Sequence, residues 1–210
     1  MQFCEKRGKI RAVIAFLQKN NMKTTISNLV TLAQGVPFRG QIPKVENGML
    51  AVVQMKNIGE RGDIQVDRLD RIAVFPRHEK YLLYPNDILV LSRGTRNTAA
   101  LVPVGFPLAV AASYFTVMRV VSNTVLPEYL TTYLNGSKIQ ARIRGLAFGT
   151  ALPIVSIAAW HQLPVDVPLP ARQRLLVELD HACRRAERLE LTIQEKRRAA
   201  VEWEVMRQYG

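Results

Sequence analysis

Beyond Pro170 the apolar residues recur at Leu175, Leu179, Ala182, Ala186, Leu189, Ile193, Ala200 and Trp203, an alternation of four and three broken only by Lys196. Residues 171–208 contain neither proline nor glycine. The spacing therefore predicts one helix about 57 Å long with a coiled-coil seam along it. Charges of both signs fill the other positions, as on a solvated face. The seam alanines bury less than leucine but let two helix axes come close. Exposed alone, such a stripe is unfavourable, so the helix needs a partner. A second apolar-and-basic stripe, Ile10, Val13, Ile14 and Leu17 among Lys6, Arg7, Lys9, Arg11 and Lys19, predicts a short amphipathic helix near the start. That helix is about half the length needed to cover the seam. The natural cover is the same helix from a second chain.

Between these ends the period changes. Residues 25–121 read as short strands: 50–55 (LAVVQM), 71–75 (RIAVF), 87–91 (DILVL), 108–112 and 113–121, separated by Gly, Pro and Asn-Gly punctuation. From Pro127 to Arg144 the spacing turns helical, with Tyr129, Leu130, Tyr133, Leu134, Ile139 and Ile143 and an interruption near Asn135-Gly136. Strands are expected again at 152–157 and 163–167, before the punctuation of Pro168 and Pro170. The fold class is thus α+β: a basic amphipathic helix at 1–24, an irregular sheet-rich domain at 25–170, and a long coiled-coil helix at 171–210.

Composition narrows the function classes. The 210 residues are 48% hydrophobic and 22% charged, which excludes a disordered or collagen-like chain. Lysine and arginine number 29 against 17 acidic residues, a formal charge of +12, and that excess points to a polyanionic partner, nucleic acid first. Residues 97–118 carry no charge and match a membrane span in length, but Pro103, Gly105 and Pro107 divide them into strand-like pieces. The apolar stretch 12–17 is too short for a signal peptide. Cys4 and Cys183 lie far apart and form no Cys-x-x-Cys pair, so a reducing, cytoplasmic setting is expected.

Catalytic motifs are missing. His78, His161 and His181 stand singly, so no metal site is visible. There is no Gly-x-Ser-x-Gly elbow, and the glycine-rich string 145–149 (GLAFG) lacks a phosphate-loop lysine. No Asn/Asp-Pro-Pro-Phe/Tyr loop is present to hold a flipped adenine for methylation. Asp87, Glu79 and Lys80 have the wrong order for a metal-dependent nuclease. The chain reads as a binding protein with no cofactor, not an enzyme.

A set of strings in fixed order then carries a resemblance. It runs from Gly35 with Phe38-Arg39, through 53–58 (VQMKNI) with Gly62-Asp63-Ile64, to 86–89 (NDIL) leading to Ser92-Arg93-Gly94. It continues with Ala112-Ser113, 127–130 (PEYL) with Tyr133-Leu134-Asn135, Gln140 and Ile143, 149–154 (GTALPI), and 167–170 (VPLP) with Gln173. Over about residues 25–200 the chain resembles one half of the specificity (S) subunit of type I restriction-modification systems: one target recognition domain followed by one spacer helix. It departs from the family at Asn86, where glycine is usual, at Arg172, where glutamate is common, and in the extra helix at the start. The resemblance implies a half-length subunit that rebuilds a whole one by homodimerisation and reads a bipartite, palindromic double-stranded DNA target. It implies methylation subunits as partners and, in many systems, an endonuclease subunit.

Base readout needs forked groups on loops, and phosphate positioning needs cations around them. For the first role the loop holding Arg93, Thr95, Arg96 and Asn97 is favoured, followed by Gln54 and Asn57. Phosphate candidates are Arg39, Lys44, Lys56, Arg61, Lys138, Arg142 and Arg144. Two other classes compete: a small DNA-binding regulator whose helix-turn-helix would use 1–20 and 24–32, and a helical scaffold protein whose charge is incidental.

Overall fold

A computed structural model of the chain describes residues 21–149 and 152–208. In chain order these form β1 (Met22–Thr25), β2 (Val30–Gln34), β3 (Leu50–Val53), β4 (Asp70–Ile72), β5 (Ile88–Leu91), β6 (Ala99–Leu101), β7 (Ala109–Ala111) and β8 (Phe115–Val120). Helices α1 (Pro127–Asn135), α2 (Ser137–Leu146) and α3 (Ile157–His161), strand β9 (Pro164–Val167) and the long α4 (Pro170–Gln208) follow. The α+β class expected from the sequence is what the chain adopts.

Three sheets stack with the helices in layers. An antiparallel sheet of order β2-β8-β5-β6 has α1 and α2 on one face and a sheet of order β4-β3-β7 on the other, and β1 pairs with β9 apart from both. Side-chain alternation shows why the central strands read as unbroken apolar runs. In β5, Ile88 and Val90 point into the helix-side core while Leu89 and Leu91 point into the core between the sheets. In β3, Ala51 and Val53 join that second core, and Leu50 and Val52 face a third built with Ile72, Val110 and the rings of Phe38 and Phe75. Strands buried on both faces need hydrophobic residues at every position.

Local chemistry sets several boundaries. Pro127 opens α1, and Gly136, in extended conformation, separates it from α2. The Ser156 hydroxyl accepts from the Ala159 amide and starts α3. That cap corrects the strand expected at 152–157: Ile154 alone forms bridges there, and Ile157 is already helical. Asn86 has φ of 71°, a left-handed conformation that glycine adopts freely and asparagine tolerates. Next to it the buried Asp87 carboxylate receives both the Nε and the Nη2 of Arg119 at 2.7 Å, a structural pair with no free edge for metal chemistry. Those hydrogen bonds hold the Arg119 guanidinium pKa above its ordinary value despite burial.

Three strands lie outside the expected set: β1, β2 (VTLAQ) and β6. β1 (MKTT) is mostly polar and is held by its register on β9, Met22 opposite Val167, while β6 (AAL) is too short and small to show a period. Residues 22–24 therefore belong with the sheet domain, not with the expected helix at 1–24, whose residues 1–20 lie outside the described ones. The helix-turn-helix competitor fails here as well, since 24–32 contributes to β1 and β2. The uncharged stretch 97–118 folds as β6, β7 and most of β8, and no helix among the described residues is long and apolar enough to cross a membrane.

Helix α4 makes its buried apolar contacts only in its first turns. Gln173 and Val177 are buried and Leu176 packs on the helix-side core, while Leu175, Leu179, Ala182, Ala186, Leu189, Ile193, Ala200 and Trp203 are all exposed, Leu189 by 64%. The seam points away from its own domain. Among the described residues nothing covers it.

Candidate nucleic-acid interface

The sheet domain carries an open cleft of about 760 Å³ between the loop 38–44, the end of β3, β4 and the turn before β8. Its wall includes Gln41, Lys44, Gln54, Lys56, Asp70 and Tyr114. Gln54 leaves β3 in an extended conformation and leads into a 3-10 turn at Met55–Asn57. Its Nε2 donates to Asp70 Oδ2 at 2.6 Å, and Lys56 Nζ reaches the same oxygen at 2.6 Å. Lys44 Nζ lies 2.9 Å from Asp70 Oδ1. The Lys56 ammonium above all, with Lys44 and the Gln54 amide, holds the Asp70 carboxyl at about 2, below the ordinary 3.8, against the opposing effect of burial. One carboxylate thus organises two cations and an amide on a concave wall, a donor-rich surface suited to phosphates and base edges.

Asn57 plays another part. It is wholly buried, its Oδ1 accepts from the Gln54 amide at 2.9 Å, and its Nδ2 donates to the Arg68 carbonyl at 2.8 Å. This corrects the expectation of a base contact: Asn57 staples the turn that presents Gln54 and Lys56.

The loop after β5 divides in the same way. Ser92 is buried and its hydroxyl donates to the Tyr114 carbonyl. The Arg93 guanidinium lies 5.8 Å from the centre of the Tyr114 ring, and Tyr114 is also a wall of the cleft. Gly94, with φ of 94°, turns the chain so that Thr95 and Arg96 project into solvent, Arg96 standing 3.9 Å from Glu60. Asn97 is 1% exposed, its Nδ2 donates to the Leu91 carbonyl at 2.8 Å, and its own carbonyl accepts from Gln140. Asn97 is therefore corrected from base reader to brace of the loop. A short polar residue at the foot of a glycine loop looks the same in sequence whether it points out or in.

Among the phosphate candidates, Arg39, Lys138, Arg142 and Arg144 are exposed and pair with no carboxylate among the described residues. On α2 this follows from Ile139 and Ile143, which turn one face to the core and leave the cations outside. Lys44 and Lys56 are tied to Asp70, yet remain 64% and 53% exposed. Arg61, 43% exposed, forms an ion pair with Glu187 of α4, and its carbonyl accepts from Arg184 Nη1. Arg184 in turn donates to Asp180 at 2.7 Å. Arg61 fastens the domain to the helix. Sequence reading missed Gln41, Tyr114 and Asp70 at the cleft, because only the pairing of β3 with β4 and β7 in one sheet brings residues 41, 54, 70 and 114 to one wall.

No group of three or more His, Cys, Asp or Glu side chains among the described residues is arranged to hold a metal ion. Cys183 is a free, exposed thiol, and Cys4 lies outside the described residues.

No protein-family model matches the chain, and no curated protein is similar to it in sequence. Solved structures are similar to it in fold. The type I restriction-modification S subunit from M. genitalium matches with a TM-score of 0.51 at 18% identity, over 76% of this chain and 38% of that one. The HsdS subunit from Thermoanaerobacter tengcongensis matches with 0.58 at 13% identity, over 81% and 39%. A chain from a structure describing complex assembly and conformational transition of the type I R-M system matches with 0.61 at 12% identity, over 81% and 40%. The chain thus spans well under half the length of each neighbour, and what it shares with these specificity subunits is the fold of a sheet domain carrying a long helix.

Proposed function

We propose that this chain recognises double-stranded DNA sequence-specifically as a specificity subunit of a type I restriction-modification system, reading one half of a bipartite target. The observation that carries the reading is the S-subunit fold itself, with a cation-lined cleft on the sheet domain and a long helix whose apolar seam faces solvent. The matched part occupies 38–40% of each neighbour chain, so two such parts fit within one neighbour. A homodimer joined along α4 would supply both half-site readers, with the helices setting the spacing between them. Methylation subunits, and in many systems an endonuclease subunit, dock on that assembly in the cytoplasm and carry the cofactor and the chemistry.

The test is a gel shift with a random duplex and with a duplex selected from a library, each at two salt concentrations. Binding should weaken steeply with salt on both duplexes, and the selected one should stay tighter by at least about a thousandfold. Salt-insensitive or absent binding would favour a helical scaffold instead. With labelled S-adenosylmethionine and Mg²⁺ the protein alone should neither methylate nor cut DNA, and turnover by a clean preparation would overturn the non-catalytic assignment.

A further inference from the structure

Phe148 is 60% exposed, although the sheet domain buries most of its large apolar residues. It follows α2, with the exposed Arg142 and Arg144 a few residues before it, and precedes Gly149, whose φ is 91°. Its backbone exchanges two hydrogen bonds with Ile154, at 3.0 and 2.9 Å. Ile154 is bridged on its other side to Arg93, through Gly94 N to Pro153 O and Val155 N to Ser92 O, both 2.9 Å. Residues opposite each other in antiparallel pairs present their side chains to the same face. Arg93, Ile154 and Phe148 therefore form one row across a narrow ribbon, and the Tyr114 ring lies beneath the Arg93 guanidinium.

The chemistry of the row indicates its occupant. The arginine fork is oriented by a ring and has no carboxylate partner among the described residues. Two strands over, beyond Ile154, stands an exposed phenyl ring in a cationic neighbourhood. A protein core would cover the ring and leave the arginines in water. A DNA major groove offers both an acceptor pair, guanine O6 and N7, and an apolar group, the thymine 5-methyl, between flanking phosphates, and its width of about 12 Å exceeds the two strand spacings of about 4.8 Å that the row spans.

Resting on the DNA-recognition reading above, we infer that Arg93 and Phe148 are a pair of specificity-determining residues, Arg93 taking a guanine edge and Phe148 a thymine methyl. Two strand spacings of about 4.8 Å separate them. Laid along the groove, that distance corresponds to roughly three base-pair steps of 3.4 Å.

The experiment uses the full chain and a duplex it selects from a random library. Each thymine is replaced in turn by deoxyuridine, which removes only the methyl, and each guanine by 7-deazaguanine, which removes only N7. One thymine should lose about fourfold in affinity, the weight of one methyl group, and a guanine roughly three pairs away should lose about fivefold. The thymine effect should vanish in Phe148→Ala and the guanine effect in Arg93→Ala, each variant retaining the other effect and the wild-type circular dichroism. If no thymine is methyl-sensitive, or if the sensitivity persists in Phe148→Ala, the assignment is wrong and Phe148 is left as a protein contact. If the wild type selects no sequence at all, the DNA-recognition reading itself falls. A selected duplex with no methyl effect removes only the Phe148 assignment.

Discussion

Asp70 concentrates the electrostatics of the cleft on one carboxylate, and its effect on stability follows from the sign of its shift. The folded pKa, about 2, lies below the ordinary 3.8. The stabilisation is therefore fully present above about pH 4 and is lost as pH falls through 2. Because both lysines are more than half exposed, solvent screening trims the contribution to about 1–2 kcal/mol. Asp70→Asn should show that deficit in urea unfolding at pH 7, and the gap to wild type should close as the pH is lowered from 4 to below 2. The loop after β5 gives a second contrast. Asn97→Ala leaves the Leu91 carbonyl without its partner in the interior and should cost about 1–3 kcal/mol of stability. Arg96→Ala, at an exposed site, should change stability by under about 0.5 kcal/mol and act on DNA affinity alone. Thermal melts paired with binding measurements separate the two, and equal melting temperatures would overturn the bracing role of Asn97.

At the scale of elements, the joint between domain and helix rests on Gln173. Its Oε1 accepts from the Leu126 amide at the start of α1, and its Nε2 donates to the carbonyls of Thr124 and Pro168, at 2.7 and 2.8 Å. Gln173→Ala takes the partner from three backbone groups, of which the Pro168 carbonyl is buried, and should destabilise the protein by about 1–3 kcal/mol. Gln173→Glu keeps the acceptor but sets a buried carboxylate oxygen against the Thr124 and Pro168 carbonyls, so a loss at least as large is expected for it in the same denaturation assay. Farther along α4, the link from Arg61 to Glu187 and Arg184 lies at the surface, where ion pairs stabilise little. Its value is geometric. Arg184→Ala should shift stability by less than about 1 kcal/mol while broadening the distance distribution between spin labels on the sheet domain and on α4. An unchanged distribution would show that Gln173 and Val177 alone set the angle.

For the whole molecule, the exposed seam from Leu175 to Trp203 is the feature that asks for a second copy. Light scattering should give about twice the 23.7 kDa chain mass, and the double variant Leu179→Glu with Leu189→Glu should halve it, because an unpaired charge in such a seam costs several kcal/mol, with the sheet domain still folded. A wild-type monomer at micromolar concentration would reserve the helix for another subunit.

By itself the sequence determined the α+β class, the long helix and its heptad stripe, the interruption at Gly136 and the positive charge, because local periodicity and composition act within a few residues of each position. Which face of α4 meets the domain was not in the stripe: Leu176 and Val177 dock, while the seam residues Leu175 and Leu179 do not. Only the tertiary structure decided which polar residues are tools and which are braces. Asn57 and Asn97 turn inward because particular carbonyls of Arg68 and Leu91 wait for them. Arg61 is taken up by Glu187, more than a hundred residues away. Gln41, Gln54, Asp70 and Tyr114 meet because β3 lies between β4 and β7. Such pairings depend on contacts distant in sequence, and no period along the chain encodes them.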